Sequence, residues 1–150
     1  MIRVVDGDLL EAKSPYIGHQ VNCMGVMGSG VARAIRSKHP EVYHAYKDFC
    51  EHNKGYLLGK VLYVITDSGR VVCNLFAQEN FGTDGKCYTD YDALRECLET
   101  LRDDISTGYE IALPYLIGCY RGGGDWGIVY PMLEDIFVAH NLVLYRKDVG

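Results

Sequence analysis

A predicted strand runs directly into a glycine loop and a helix in residues 16–37, YIGHQVNCMGVMGSGVARAIRS. Residues 16–22 are typical of a strand, because a short run of apolar residues is bounded by proline on one side and glycines on the other. Beyond the glycines, Val31, Ala34 and Ile35 recur at helical spacing. A glycine loop between a strand and a helix is typical of the edge of an α/β sheet where ligands bind.

The rest of the chain alternates between strand and helix patterns. Strands are predicted at residues 2–5, 61–66, 71–77, 110–113 and 142–145, with helices starting at Pro40, at a capping box opened by Thr89, and over residues 126–140. A polar stretch without periodicity, residues 78–88, predicts a loop, and residues 67–70 predict a hairpin turn. We therefore predict one α/β domain over residues 1–150, with a mixed sheet and helices on both faces.

Composition narrows the function classes. The chain has 150 residues, 48% apolar and 23% charged, which argues against disorder. No run approaches the ~18 apolar residues of a membrane span, and no apolar signal segment opens the chain, so a cytoplasmic location and no membrane partner are predicted. The net charge of −5 predicts that nucleic acid is not a partner.

Six cysteines are spread along the chain without a C-x-x-C pair. Without an export signal, we predict that they are reduced and mostly buried. The closest mixed pair of potential ligands is Cys50 with His52, and a structural zinc site needs more than that. Neither a metal nor a cofactor is predicted.

A second glycine-rich junction, residues 117–126, also leads from a predicted strand to a helix. Glycine lets the backbone approach a ligand, and a helix start presents N–H groups with a partial positive charge. Two such loops facing each other could hold a diphosphate without lysine, although glycine loops can also merely turn the chain. Neither loop matches a P-loop, and Arg33 occupies the third position of the dinucleotide fingerprint.

The ordered set of motifs resembles the macrodomain family over nearly the whole chain. It comprises Gly7-Asp8-Leu9, His19-Gln20-Val21-Asn22-Cys23, Met27-Gly28-Ser29-Gly30-Val31-Ala32 and Leu113-Pro114 leading to Ile117-Gly118-Cys119. The branch it resembles contains the terminal ADP-ribose protein glycohydrolase and the ADP-ribose-1″-phosphate processing proteins. The resemblance implies a three-layer α/β/α macrodomain-like fold with ADP-ribose bound over the sheet.

At the adenine end of the ligand, the resemblance implies that Asp8 accepts a hydrogen bond from the adenine amino group, with help from the Leu9 backbone. Asp8 could instead be an aspartate that stabilises a turn. Adenine also needs an aromatic face, since stacking contributes ~1–3 kcal/mol per base. Tyr145 and Phe81 are the candidates, and both could equally be packing residues.

The resemblance also implies two phosphate-binding loops. The first would comprise Met27, Gly28, Ser29, Gly30 and Val31, and the second Ile117, Gly118, Cys119, Tyr120, Arg121, Gly122 and Gly123. Asn22 would reach a ribose hydroxyl or cap the end of its strand. Arg121 stands where a small or apolar residue is common in the family, and Tyr120 replaces a usual glycine, so the second loop could be narrower or shaped for a different distal substituent.

Catalysis is where the chain departs from the family. The glycohydrolase uses a lysine in the segment equivalent to residues 74–80, which has none here, and an aspartate where this chain has about Gly122. Lys86 lies several residues too late. Water attack at the anomeric carbon or a terminal phosphate then needs a base, and Asp125 and His19 are the candidates. Asp125 could instead cap the last helix, and His19 could be a hydrogen-bonded structural residue.

These observations support a hydrolase acting on ADP-ribose-1″-phosphate, O-acetyl-ADP-ribose or protein-linked ADP-ribose. A non-catalytic ADP-ribose reader is the alternative, because the family lysine and aspartate are missing. The predicted partner is ADP-ribose, a derivative of it, or an ADP-ribosylated protein.

Overall fold

Six strands form one twisted sheet with two helices on each face. The computed structural model of the chain describes residues 1–147. The strands are β1 (Ile2–Asp6), β2 (Tyr16–Asn22), β3 (Val61–Ile65), β4 (Val71–Gln78), β5 (Ile111–Pro114) and β6 (Leu142–Arg146). The helices are α1 (Gly30–Lys38), α2 (Pro40–His52), α3 (Tyr91–Asp104) and α4 (Trp126–Ile136), with a 3₁₀ turn at Leu9–Glu11.

The sheet order is β1-β6-β5-β2-β4-β3. All neighbouring strands are parallel except β3 and β4, which form the predicted hairpin. The mixed sheet and the layered α/β/α fold are therefore confirmed. Because β1, β2, β5 and β6 run in the same direction, the loops that follow them meet at one edge of the sheet.

The apolar core is divided by the sheet. One cluster packs α3 and α4 against the sheet, with Leu94, Leu98 and Leu133 fully buried. The other packs α1 and α2 against the opposite face around Ile35 and Tyr46. The sequence periodicity located these faces because each helix buries only one side.

The structure corrects two predicted helix ends. Asp90 rather than Thr89 is the N-cap of α3, since the Asp90 side chain accepts a hydrogen bond from the Ala93 amide. The last helix ends at Ile136 instead of residue 140, because the chain turns there to bring β6 alongside β5. The strands agree with the predictions to within one residue at each end.

All six cysteines are free: three are buried, two are half-buried and Cys87 is exposed. Among residues 1–147, no three histidine, cysteine or acidic side chains are grouped closely enough to hold a metal ion. No helix in this part of the chain has the length and apolar character needed to span a membrane.

Candidate functional site

A cleft of about 970 Å³ lies over the carboxyl ends of the central strands. Its walls are the first loop (residues 23–29, between β2 and α1) and the second loop (residues 115–125, between β5 and α4). Most residues proposed for binding line it: Asp8, Leu9, Asn22, Gly28, Ser29, Gly30, Val31, Ile117, Gly118, Tyr120, Arg121, Gly122 and Tyr145. The structure thus brings together residues that are far apart in the sequence.

The first loop is held from below by buried side chains. Asn22 donates from Nδ2 to the Val26 carbonyl (2.8 Å), and its Oδ1 accepts from the Met24 amide (2.9 Å). The Tyr46 hydroxyl, buried on α2, lies 2.8 Å from the same Oδ1 and 2.7 Å from the Asn22 carbonyl oxygen. Asn22 therefore caps the end of its strand, and its amide shapes the loop.

The first loop leads into helix α1, whose N-terminus has no side-chain cap. Ser29 is the N-cap of α1, yet its side chain makes no capping hydrogen bond. Because the first turn of a helix has amides without intrahelical partners, the amides of α1 are left for another acceptor. No acidic side chain lies in this turn, so the partial positive charge of the helix start is not neutralised there.

The second loop is held by close backbone packing. The Thr89 hydroxyl lies 2.5 Å from the Gly118 carbonyl oxygen, and the Gly122 carbonyl accepts from the amides of Tyr88 and Thr89 (2.7 and 3.1 Å). A Cβ on Gly122 would collide with the Thr89 hydroxyl and lie 2.6 Å from the Gly118 oxygen. Only glycine fits this position without rearrangement.

His19 lies at the floor of the cleft with 1% of its surface exposed. Its Nε2 is 2.7 Å from Asn74 Oδ1, while Asn74 Nδ2 donates to the Leu62 carbonyl (3.0 Å). Since the Asn74 oxygen can only accept, the Nε2 atom of neutral His19 carries the proton. Its Nδ1 then carries a lone pair and has no partner among the described residues.

Burial makes His19 a weak base. It lowers the pKa of the His19 imidazole to about 4, although the hydrogen bond to Asn74 acts in the opposite direction. The side chain is therefore neutral near pH 7. This state leaves the acceptor lone pair on Nδ1, a buried atom of a residue at the floor of the cleft, and no positive charge there.

No protein-family model matches the chain. A DNA ADP-ribosyl glycohydrolase of Thermus aquaticus is 43% identical over 144 residues, covering 93% of this chain. The solved macrodomain of Thermus aquaticus DarG superposes with a TM-score of 0.78 at 26% identity, covering 99% of this chain and 98% of that one. The chain has the macrodomain fold.

A second kind of relative is similar over its whole length. An ADP-ribose 1″-phosphate phosphatase of Candida glabrata is 25% identical, and the alignment covers 93% of each protein. By contrast, the macrodomain described here spans only 38% of the Thermus aquaticus glycohydrolase. The two relatives therefore differ both in named activity and in how much of each the chain covers.

Four predicted residues do not line the cleft of this macrodomain. Met27 is buried at 1% exposure in the core beneath the first loop, and the half-buried Cys119 packs against the α3–α4 core. Burial raises the pKa of the Cys119 thiol to about 11, which leaves it protonated near pH 7. Gly123 packs against the Lys86 carbonyl behind the loop. Asp125, the fourth, needs separate treatment.

Asp125 is the N-cap of α4, and its Oδ1 accepts from the Gly127 amide at 2.8 Å. It lies outside the cleft lining. The geometry therefore favours the capping alternative for Asp125 and leaves His19 as the predicted base that the macrodomain cleft contains. Lys86 also lies outside the cleft lining, and its Nζ is 3.7 Å from Asp84 Oδ2.

The sheet order separates the two ends of the macrodomain cleft. Asp8 follows β1, and Tyr145 lies near the end of the neighbouring strand β6. Phe81 follows β4, which lies on the other side of the central strands β5 and β2. Asp8 Oδ1 accepts from the Leu10 amide (3.0 Å), which lowers the pKa of Asp8, and Lys147 approaches its Oδ2 (3.3 Å). Tyr145 is therefore placed to serve the same end of a ligand as Asp8, and Phe81 the opposite end.

Sequence reasoning missed a polar group behind the second loop of the macrodomain. Gln20 Nε2 contacts Gln78 Oε1 (2.8 Å) and Thr89 Oγ1 (2.9 Å), while Gln20 Oε1 is buried without a partner among residues 1–147. Of residues 74–80, only Gln78 lines the cleft. Two glutamines near the ends of largely apolar strands were the available signal. Their pairing depends on a register shift at the end of β2, which the sequence pattern does not reveal.

Proposed function

We propose that this macrodomain binds ADP-ribose and hydrolyses a derivative substituted at its distal ribose. The observation that carries the proposal is the uncapped start of α1, which faces a cleft closed on its other side by the second loop. Backbone amides at a helix start favour anions such as a diphosphate. The names of the relatives from Thermus aquaticus and Candida glabrata agree with this ligand class.

The distal ribose would lie toward β2 and β4. With the adenine at Asp8 and Tyr145, a diphosphate at the amides of α1 places the far end of the ligand beside His19, Gln78 and Phe81. The substituent at the distal ribose is the group that differs between ADP-ribose-1″-phosphate, O-acetyl-ADP-ribose and protein-linked ADP-ribose. The reacting bond would therefore lie at this end of the cleft.

The proposed reaction is attack by water. His19 Nδ1, which carries the lone pair, is buried in the free protein and must become accessible to the attacking water; it then accepts a proton as the water oxygen bonds to the anomeric carbon or to a terminal phosphorus atom. The bond to the leaving group breaks, and the proton then passes to the departing oxygen or to solvent. The cleft contributes chiefly by fixing the diphosphate, because orientation alone can lower such a barrier substantially.

A reader of ADP-ribose without catalysis is the second candidate. The observation that favours it is the low pKa of His19, about 4, since a base works best when its pKa lies near the working pH. In either case the partner is ADP-ribose or a molecule that carries it, such as an ADP-ribosylated protein. The proposed location is cytoplasmic, because free cysteines are typical of a reducing compartment.

The decisive experiment combines calorimetry with ADP-ribose and chromatography of the three candidate substrates. The hydrolase proposal expects binding and turnover of at least one substrate, with His19→Gln reducing turnover at least tenfold while ADP-ribose binding persists. His140→Gln is the matched control, since His140 is equally buried, has an unpartnered Nδ1 and lies away from the cleft. Binding without turnover of any substrate would establish the reader, and absence of binding would overturn both.

The role of Asp125 is tested in the same assays. As a helix cap, Asp125→Ala should lower the free energy of unfolding by about 1 kcal/mol and leave the turnover of folded protein unchanged. Asp125→Ser should preserve most of the stability because serine also caps helices. Loss of turnover in both variants, with normal stability, would instead restore Asp125 as the catalytic base.

A further inference from the structure

Leu116, in the second loop, adopts a backbone conformation that the chain otherwise gives only to glycine. Its φ is +64°, and among residues 1–147 it is the only residue other than glycine with a positive φ. In this left-handed region the Cβ of leucine crowds the following carbonyl group, so the conformation is strained. Residues in such conformations cluster at functional sites, where the surrounding structure imposes them.

Other turns of the same chain show what this conformation normally requires. Four hydrogen-bonded turns among residues 1–147 have a residue of positive φ at the third of their four positions. In three of them this residue is a glycine, namely Gly55, Gly59 or Gly118. In the fourth, the Ile117 amide donates to the Pro114 carbonyl (3.1 Å), and Leu116 occupies the same position. Because glycine would fit there without strain, the turn alone does not account for the leucine.

The apolar core does not account for the leucine either. Tyr115 packs against the core between the sheet and helices α3 and α4, and Ile117 is part of that core. Leu116, between them, belongs to none of the three buried clusters found within residues 1–147. Instead, it is half-buried and lines the cleft. Its apolar surface is therefore available to a molecule that occupies the cleft.

The strained turn is held on both sides. The Tyr115 amide donates to the Tyr145 carbonyl (2.9 Å), and the Cys119 amide donates to the Leu116 carbonyl (2.8 Å). The Tyr115 ring also packs edge-on against Trp126, with the ring centres 5.3 Å apart. These contacts fix the position of Leu116 before a ligand binds.

The sheet places Leu116 near the adenine end of the cleft. Pro114, two residues earlier, lies beside Tyr145 in the pairing of β5 with β6. Tyr145 serves the adenine end of the proposed ligand, whereas His19 and Gln78 at the distal end belong to β2 and β4. The part of ADP-ribose that joins adenine to the diphosphate is the adenosine ribose, and this sugar would lie at the level of Leu116.

We propose that Leu116 is a specificity-determining residue, held in the cleft at a cost in stability so that its side chain packs against the adenosine ribose. The inference rests on the proposed function, because it requires ADP-ribose in the cleft. A leucine side chain makes no hydrogen bonds, so its contribution is apolar contact with the carbon atoms of the sugar and exclusion of water beside the diphosphate. Excluding water strengthens the attraction between the phosphates and the amides of α1.

The test compares Leu116→Gly with Leu58→Gly by calorimetry with ADP-ribose and with ADP, and by urea denaturation. Leu58 is the matched control, because it directly precedes Gly59 in one of the glycine turns, its φ is not positive and it lies outside the cleft lining. Leu116→Gly should weaken the binding of both nucleotides by about fivefold or more, since both contain the adenosine ribose. Its urea midpoint should be unchanged or raised, because the backbone strain is relieved.

The control should behave in the opposite way. Leu58→Gly should bind both nucleotides like wild type. It should unfold at a lower urea concentration, because glycine adds conformational freedom to the unfolded chain and no strain is relieved in the folded one.

Two further variants separate the side chain from the flexibility of glycine. Asparagine tolerates a positive φ and is similar in size to leucine but polar. Leu116→Asn should therefore also weaken both nucleotides by about fivefold or more, without loss of stability. Leu116→Met keeps an apolar side chain of similar volume and should bind both nucleotides within about twofold of wild type.

Three results would overturn the inference: wild-type affinity in both Leu116→Gly and Leu116→Asn, weaker binding of ADP-ribose with ADP unaffected, or a urea midpoint lowered as much by Leu116→Gly as by Leu58→Gly. The second would put the side chain at the distal ribose, and the third would show that the turn is not strained. In all three, wild type still binds ADP-ribose. Failure of wild type to bind either nucleotide would refute the proposed function itself, and the inference with it.

Discussion

The two glycine loops line one cleft, yet they are held in place by different means. Buried side chains support the first loop, with Tyr46 and Asn22 bridging α2, β2 and the loop itself. The second loop instead packs its own backbone against Thr89, so closely that Gly122 has no room for a Cβ. Their helices also differ, because the Asp125 side chain caps α4, whereas the Ser29 side chain at the start of α1 makes no capping hydrogen bond.

This difference indicates a division of labour between the loops. The first loop leaves backbone donors available for an anion and draws its rigidity from groups beneath it. The second loop uses the start of its helix for an internal cap and provides shape instead. Anion binding should therefore depend on the first loop, and tolerance to substitution should be lower in the second.

The largest expected effect concerns His19, the buried histidine at the floor of the cleft. Unfolded His19 takes up a proton near pH 6.5, whereas folded His19 does so only near pH 4. The unfolded state therefore binds more protons between these values, so stability is complete above about pH 6.5 and declines as pH falls toward 4. Neutral His19 therefore contributes roughly 3 kcal/mol to the free energy of unfolding above pH 6.5, because each pKa unit corresponds to about 1.4 kcal/mol.

Urea denaturation at several pH values measures this contribution. The decline in the free energy of unfolding between pH 6.5 and 4 should be smaller in His19→Gln, because the glutamine side chain does not titrate in this range. His44→Gln is the control, because His44 is exposed and should leave the profile close to wild type. Equal slopes for wild type and His19→Gln would show that His19 is accessible to protons in the folded state.

The second prediction concerns the packing of the second loop. Gly122→Ala should lower the free energy of unfolding by about 2–3 kcal/mol, because the added methyl group meets the Thr89 hydroxyl and the Gly118 carbonyl. Gly28→Ala in the first loop is the control. A Cβ there would lie 3.5 Å from Val26 Cγ1, an ordinary contact, so stability should change by less than about 1 kcal/mol.

A double variant sharpens this comparison. Thr89→Ala removes the hydroxyl that the new methyl group would meet, so Gly122→Ala/Thr89→Ala should cost less than the sum of the single changes. Chemical denaturation of the four proteins gives this coupling directly. Strict additivity would show that the second loop shifts away from Thr89 to accommodate the methyl group, and the proposed difference in tolerance would then fail.

The third prediction concerns the bridge beneath the first loop. Tyr46→Phe removes a buried hydroxyl that lies 2.7 and 2.8 Å from two oxygens of Asn22. Loss of one buried partner should lower the free energy of unfolding by about 1–2 kcal/mol and weaken ADP-ribose binding through the loosened loop. Tyr56→Phe, with 75% of the residue exposed, should change neither measurement. Unchanged stability would mean that Asn22 alone fixes the loop.

Much of the fold was predictable because it rests on local patterns. Apolar spacing located the strands and the buried faces of α1, α2 and α3, and glycine clusters located both loops. The sequence did not predict that Thr89 turns toward Gly118 instead of capping α3, since Asp90 beside it can take over the cap. Choosing between adjacent polar residues depends on tertiary contacts that no local pattern contains.

The site was less predictable than the fold for the same reason. Glycines and Asp8 were visible as motifs, but Asp125 and His19 looked equivalent as candidate bases until the structure placed one at a helix cap and the other under the cleft. The contact between Gln20 and Gln78 was not predictable from the sequence, because it joins two different strands.

The smallest expected effect concerns the side chain that reaches from one loop to the other. Arg121 leaves the second loop and approaches the first, where a Cβ on Gly30 would lie 3.4 Å from its Cγ. It is exposed, so its attraction for a diphosphate is screened by solvent. Arg121→Gln should weaken ADP-ribose binding only about threefold at low salt, with no change in stability, and Arg102→Gln on α3 should have no effect.

Calorimetry at two salt concentrations would show whether this bridge matters. If Arg121 acts as a mobile charge above the diphosphate, the threefold difference in affinity between wild type and Arg121→Gln should shrink at 0.5 M salt. Salt at this concentration screens the attraction between Arg121 and the diphosphate, so wild type loses the advantage that the variant lacks. A difference that persists at high salt would mean that Arg121 fixes the distance between the loops through packing against Gly30. The two loops would then be coupled in the free protein, and their separate modes of support would no longer imply separate roles.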